Sequence, residues 1–202
     1  MNVFEIDTRD AEKQLTNIKD VLALVPGGMQ LACQRAANKS IKSLKVATKS
    51  AIRDEYNIKS GDLDRKFSIR QASKYDPFAE LEASGSSSIS LSHFDPRDRT
   101  VISPRTTSTG NSVKAKHKGV TVKVKKAGGR KIVKGGFRLK SGAIMKRVDS
   151  GRLPIAKLWG PSPLRMLEDS SVLQDLEYQA EELMKKNLKH EATHILKKAG
   201  YR

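Results

Sequence analysis

Apolar positions recur at helical spacing through the first quarter of the chain. Val3–Ile6 reads as a short strand, with Phe4 and Ile6 alternating with acids. Behind Asp10, a suitable N-cap, Ala11, Leu15, Ile18, Leu22 and Val25 form one helical stripe, which Pro26-Gly27-Gly28 closes. A longer second helix follows. Cys33, Ala36, Ala37, Ile41, Leu44, Ala47 and Ala51 lie on one face, opposite Lys39, Lys42, Lys45 and Lys49. Side chains this small let the helix approach a neighbouring element closely.

The helical period stops around Tyr56–Gly61, and the middle of the chain reads as strands: Lys66–Gln71, Phe78–Ala83, Ser88–Leu91, Val120–Val124 and Ile132–Leu139. In V-T-V-K-V the period is two, with Val120, Val122 and Val124 on the packed face and Thr121, Lys123 and Lys125 on a polar, cationic one. Ser103–Ser112 has no apolar residue and is expected to be a mobile loop. Lys125–Lys131 reads as a hairpin tip in which Gly128-Gly129 take positive φ. After the proline-rich corner Trp159–Pro163 the pattern is helical again. Val172, Leu173, Leu176, Ala180, Leu183, Met184 and Leu188 lead into Ala192, Ile195 and Ala199.

These elements predict an α+β fold: two N-terminal helices, a mainly antiparallel sheet with long loops, and a C-terminal helix packed on the sheet. A chain of 202 residues suits a single domain. Its expected parts are N-terminal helices over 9–57, a strand region over 62–150, and the corner with the C-terminal helix over 151–202.

Charge changes the picture more than length does. The net charge is +17, and from Thr100 to Val148 there are fourteen Lys and Arg but no Asp or Glu. The rest of the chain is close to balanced, with twenty-five basic and twenty-two acidic residues. Such a block attracts phosphate and releases counterions. Its one aromatic, Phe137, argues against base stacking. Loose contact with a nucleic-acid backbone is open, and equally so is a solvated sheet face or a surface docked on an acidic protein neighbour, with Lys123, Lys125, Lys126, Arg130, Lys131 and Lys134 as the candidate contacts.

Candidate chemistry is sparse. H-E-A-T-H, His190–His194, matches the zinc-helix pattern by spacing. A metallohydrolase using His190, Glu191 and His194 would also need a third ligand and an anionic setting. Lys185, Lys186, Lys189, Lys197 and Lys198 crowd the site instead, and both histidines fall opposite the apolar stripe. No catalytic, metal or cofactor site is therefore expected. The glycine pairs fit neither a P-loop nor a dinucleotide fingerprint, and Gly85–Ser88 has no placed base. Asn38-Lys39-Ser40 has the letters of a glycosylation site but sits in mid-helix. The lone Cys33 excludes an internal disulfide and reads as a small residue in a helix interface. No apolar run is long enough to span a bilayer, and the acid-bearing N-terminus predicts synthesis in the cytosol rather than export.

Residues 132–166 carry a more specific signal. The motifs are Gly135–Phe137, Lys140–Gly142, Val148, then Leu153–Ile155, Leu158 and Gly160–Ser162. Together they closely resemble the lambda-type minor tail protein Z family of tailed bacteriophages, in which a G-G-F strand, a K-S-G turn and a further strand lead to an L-P-I-x-x-L-x-G-P-S corner before a C-terminal helix. The basic stretch Lys123–Lys134 departs from that pattern. The resemblance implies a structural protein of the virion tail, without catalysis, acting in tail completion and head–tail joining at the head-proximal end. It implies a sixfold ring, contacts with tail terminator and tube subunits and the head connector, possible contact with DNA in the conduit, and a host-cytoplasmic stage during assembly. Read from the residues alone, Leu153, Pro154, Ile155, Leu158, Trp159, Gly160 and Pro161 are either a packing corner or a subunit contact, with Arg152-Leu153-Pro154 expected to end a strand. The alternative function is a stand-alone basic nucleic-acid-binding protein.

Overall fold

The computed structural model describes residues 2–7, 22, 24–76, 78–84, 88–106, 109–168 and 172–200. The architecture is α+β. In chain order the elements are β1 (Asn2–Asp7), α1 (Gly28–Glu55), α2 (Ser60–Asp64), β2 (Phe67–Arg70), β3 (Phe78–Ala83), a 3-10 turn (Leu91–His93), β4 (Arg97–Thr106), β5 (Ser112–Val122), β6 (Lys131–Val133), β7 (Gly136–Arg138), β8 (Ile144–Arg147), β9 (Ile155–Lys157), α3 (Pro163–Glu168) and α4 (Val172–Lys198). The helix expected behind Asp10 lies outside the described residues apart from its end, where Leu22 is buried and Gly27 has φ 70°.

The chain divides into two compact units. The first comprises Met1–Ile52, Leu63–Gly85 and Pro163–Arg202; the second comprises Arg53–Asp62 and Ser86–Ser162. In the first, the antiparallel sheet runs β1-β3-β2. Its register places Phe4, Ile6, Phe67, Ile69, Ala79, Leu81 and Ala83 on one face and Glu5, Ser68, Arg70, Glu80 and Glu82 on the other. Two-residue periodicity thus builds an apolar face that can be buried. Helix α1 contributes Ala32, Cys33, Ala36, Ala37, Ile41 and Leu44 to the core, and α4 contributes Leu176, Met184, Leu188, Ala192 and Ile195.

Two polar details explain residues that composition alone leaves obscure. Asn38 clamps the backbone of Ala72, donating to its carbonyl at 2.9 Å and accepting from its N–H at 2.8 Å. Buried Asn187 on α4 donates to the buried Ser40 hydroxyl on α1 at 2.9 Å. Each pairing satisfies polar groups that would be costly to bury alone.

The second unit holds two three-stranded antiparallel sheets, β4-β5-β6 and β7-β8-β9. Val120, Val122 and Ile144 form a buried cluster, with Leu91, Val124, Val133 and Leu158 packed against it. Several expectations are corrected here. Ser103–Ser112 is not a long loop: Ser103–Thr106 continue β4, and Ser112 starts β5, paired with Thr106. A backbone ladder satisfies its own N–H and C=O groups and so needs no apolar side chains, which is why composition misreads it. Ile132–Leu139 is two strands, broken by Gly135 at φ 69°. Ser88–Leu91 is no strand; only Ser90 bridges, to Trp159, and a 3-10 turn follows. Thr121 is buried despite its polar face, its hydroxyl donating to the Arg97 carbonyl at 3.1 Å.

Candidate interaction surface

The corner is woven into the second unit by backbone bonds. Leu158 N–H donates to the Ile144 carbonyl at 2.9 Å, prolonging the pairing of β9 with β8. The Ile89–Leu91 segment then runs alongside: Gly160 donates to Ile89 at 2.7 Å, Ile89 to Pro161 at 3.3 Å, and Leu91 to Leu158 at 3.2 Å. Gly160 is required sterically, since a Cβ there would lie 2.7 Å from the fully buried Phe94 ring. Pro154, joined to Leu153 by a cis peptide bond, lies just before β9 rather than ending a strand as expected. A proline without an N–H suits that entry position equally well. The K-S-G turn joins β7 to β8, with Gly142 at φ 87° and its N–H donating to Leu139 at 2.9 Å.

Not every apolar residue of the corner packs within the unit. Ile155 and Leu158 are half-buried, whereas Leu153 is 71% exposed and Trp159 54% exposed. Lys157 Nζ sits 4.4 Å from the Trp159 ring centroid.

Residues 123–130, in the basic stretch that ends at Lys134, are a hairpin connection, since β5 pairs antiparallel with β6 across them. Gly128 and Gly129 do not adopt positive φ. The connection spans residues 123–130 and does not need a tight turn. Its base is anchored instead: Lys123 N–H donates to Phe94, Asn57 N–H to Val124, and Lys126 N–H to Glu55, at 3.1, 2.8 and 2.7 Å. Two of the cations have carboxylate partners that the sequence block conceals. Lys125 Nζ lies 2.8 Å from Glu55 Oε1 and 5.2 Å over the Tyr56 ring. Arg130 donates to the Asp95 carbonyl at 2.5 Å and also to its carboxylate, which Arg97 approaches at 3.3 Å. The hydrogen bond from Arg130, reinforced by the positive charges of Arg130 and Arg97, holds the Asp95 carboxyl below the usual carboxylate range. Among the described residues, no carboxylate pairs with Lys123, Lys126, Lys131 or Lys134.

Sequence reasoning missed Glu55 and Asp95 because they stand seventy and thirty-five positions from their partners. It also missed His93, whose Nδ1 lies 3.0 Å from Asp62. None of these three pairs has a local sequence signal.

On α4, His190 is 63% exposed and His194 is exposed, as their phase predicts. Glu191 turns inward, 3.9 Å from Lys39 and 3.4 Å from His190. Among the described residues, no group of three His, Cys, Asp or Glu side chains is placed to hold a metal. No helix among them is long and apolar enough to cross a membrane.

Fold and surface together define a two-unit α+β protein whose second unit carries a cationic β structure and an exposed apolar corner. The family model of Prophage minor tail protein Z (GPZ) matches residues 12–200, and the chain belongs to this family of phage minor tail proteins. No curated protein and no solved structure matches it.

Proposed function

We propose that the protein is a non-enzymatic tail-completion component, acting at the head-proximal end of a long phage tail to join tail to head. The observation that carries this reading is the family match across residues 12–200, which takes in both N-terminal and C-terminal helices as well as the corner. A place on the tail axis calls for a closed ring of identical contacts, here sixfold, with terminator and tube subunits and the head connector as neighbours. Exposed Leu153 and Trp159, on a corner whose backbone is already fixed, supply apolar anchors for such a contact. The basic charge concentrated between Thr100 and Val148, within the second unit, is turned to DNA in the conduit. Assembly begins in the host cytoplasm and ends in the virion tail.

Removal of the coding sequence from the phage tests the reading. The expected lysate contains filled heads and tails that do not form infectious particles, with plaque titre restored by supplying the protein in trans. Normal titre and normal virions in its absence would overturn the proposal.

A further inference from the structure

Basic side chains with no carboxylate partner among the described residues stand on the ribbon β4–β5 as well as in the hairpin connection. Its register runs through ten pairs, from Arg97↔Thr121 to Thr106↔Ser112. Strand β6 is paired only with Val120, Thr121 and Val122, so outward from Arg99↔Gly119 no third strand is hydrogen-bonded among the described residues. Lys114, Lys116 and Lys118 occupy alternate positions and therefore one face, with Thr100 and Ile102 opposite two of them. All three lysines are exposed, and no carboxylate among the described residues pairs with them. At the root of the ribbon the row of charge continues into a groove of about 570 Å³, whose lining includes Lys118, Arg99, Arg138 and Lys140, with Asp98 as its one carboxylate.

A two-stranded ribbon is only marginally stable alone, so this one is suited to gain order from a partner. Protein partners are held through aromatic and aliphatic anchors in desolvated pockets. The lysine-bearing face offers cations about 6.8 Å apart, with exposed Ile102 as the one large aliphatic side chain among its described residues. Phosphate backbones require only such cations, and a B-form major groove admits a two-stranded β-ribbon. We infer that the β4–β5 ribbon and the groove at its root form a sequence-independent binding surface for the phosphate backbone of duplex DNA, with Lys114, Lys116, Lys118, Arg99, Arg138 and Lys140 as its contacts. The inference rests on the reading that the second unit meets DNA and identifies which part of it does so.

The test uses the purified full-length chain and a random-sequence 30-base-pair duplex, followed by fluorescence anisotropy across a salt series. The variant K114Q/K116Q/K118Q should lose at least about tenfold in affinity and flatten the logarithmic salt slope by about 2 to 3. The charge-matched variant K126Q/K131Q/K134Q should lose no more than about twofold. Equal losses in the two variants would reduce the effect to net charge and overturn the ribbon assignment, as would no binding by the unsubstituted protein. Tighter binding of poly-glutamate than of DNA, abolished by the ribbon variant, would assign the surface to an acidic protein instead. Independently of any substitution, DNA should protect Lys114, Lys116 and Lys118 from acetylation more than Lys126, Lys131 and Lys134; the reverse order contradicts the inference. All of this is measured without tail proteins, so a failure here with normal rescue of plaque titre removes the ribbon assignment and leaves the tail-completion reading standing.

Discussion

Arg130 reaches Asp95 with both guanidinium amino groups, one donating to the backbone carbonyl and the other to the carboxylate. This pair fastens the end of the β5–β6 connection to a residue with φ 45°, a left-handed conformation that aspartate tolerates better than most residues. The most basic stretch of the chain is thus tethered through its own charges.

The Asp95 pair makes stability depend on pH. The folded carboxyl titrates below its unfolded value, so its contribution is complete above the unfolded pKa of about 3.9 and disappears as pH falls through the lower folded value. Asp95→Asn should therefore lower the thermal midpoint at pH 7, with the gap to the unsubstituted protein closing in acid. A gap that is constant between pH 7 and pH 3 would remove the ionised carboxylate from the account.

At the corner, Gly160→Ala forces a methyl group against Phe94 and the Ile89 carbonyl. Overpacking of this kind costs about 1–3 kcal/mol. Urea denaturation should show that loss, and an unchanged midpoint would mean that the Ile89–Leu91 segment yields freely.

Asn38→Ala removes the acceptor of the Ala72 N–H and one of the two donors to its carbonyl, to which Gln34 Nε2 still donates at 3.2 Å. The N–H is left as the main orphan, with an expected cost of about 1–2 kcal/mol. Loss of stability without loss of fold, followed by circular dichroism during denaturation, is the predicted result. A neutral substitution would show that solvent replaces the clamp.

The Asn187–Ser40 contact ties α4 to α1, so substitutions of its members should be non-additive. Asn187→Leu alone is expected to cost about 1–2 kcal/mol, and adding Ser40→Ala should cost less than the two single losses together. Strict additivity in a double-mutant cycle would dissolve the coupling.

Periodicity carried much of the fold. The α1 stripe from Cys33 to Leu44 is buried as its spacing predicts, and Phe78–Ala83 forms a strand with the expected bounds. Where the reading failed, order came from the backbone rather than from side chains. Ser103–Thr106 join a ladder although none of them is aliphatic, and a two-strand ladder leaves no mark in the apolar pattern. Pairings across long sequence separations were equally hidden. Lys125 and Arg130 looked uncompensated because Glu55 and Asp95 are brought to them only by the fold. Of the surface, the corner was legible as a motif, whereas the exposure of Leu153 and Trp159 was not, since an apolar residue's letter does not say which face of a turn it will take.

Position in the particle bears most directly on the central claim. Immunogold labelling of intact virions and of isolated tails with antibody against the chain should place the label at the head-proximal end of the tail, and antibody should block the joining of isolated tails to filled heads. Label along the tube or at the distal tip, with joining unaffected, would contradict a role in tail completion.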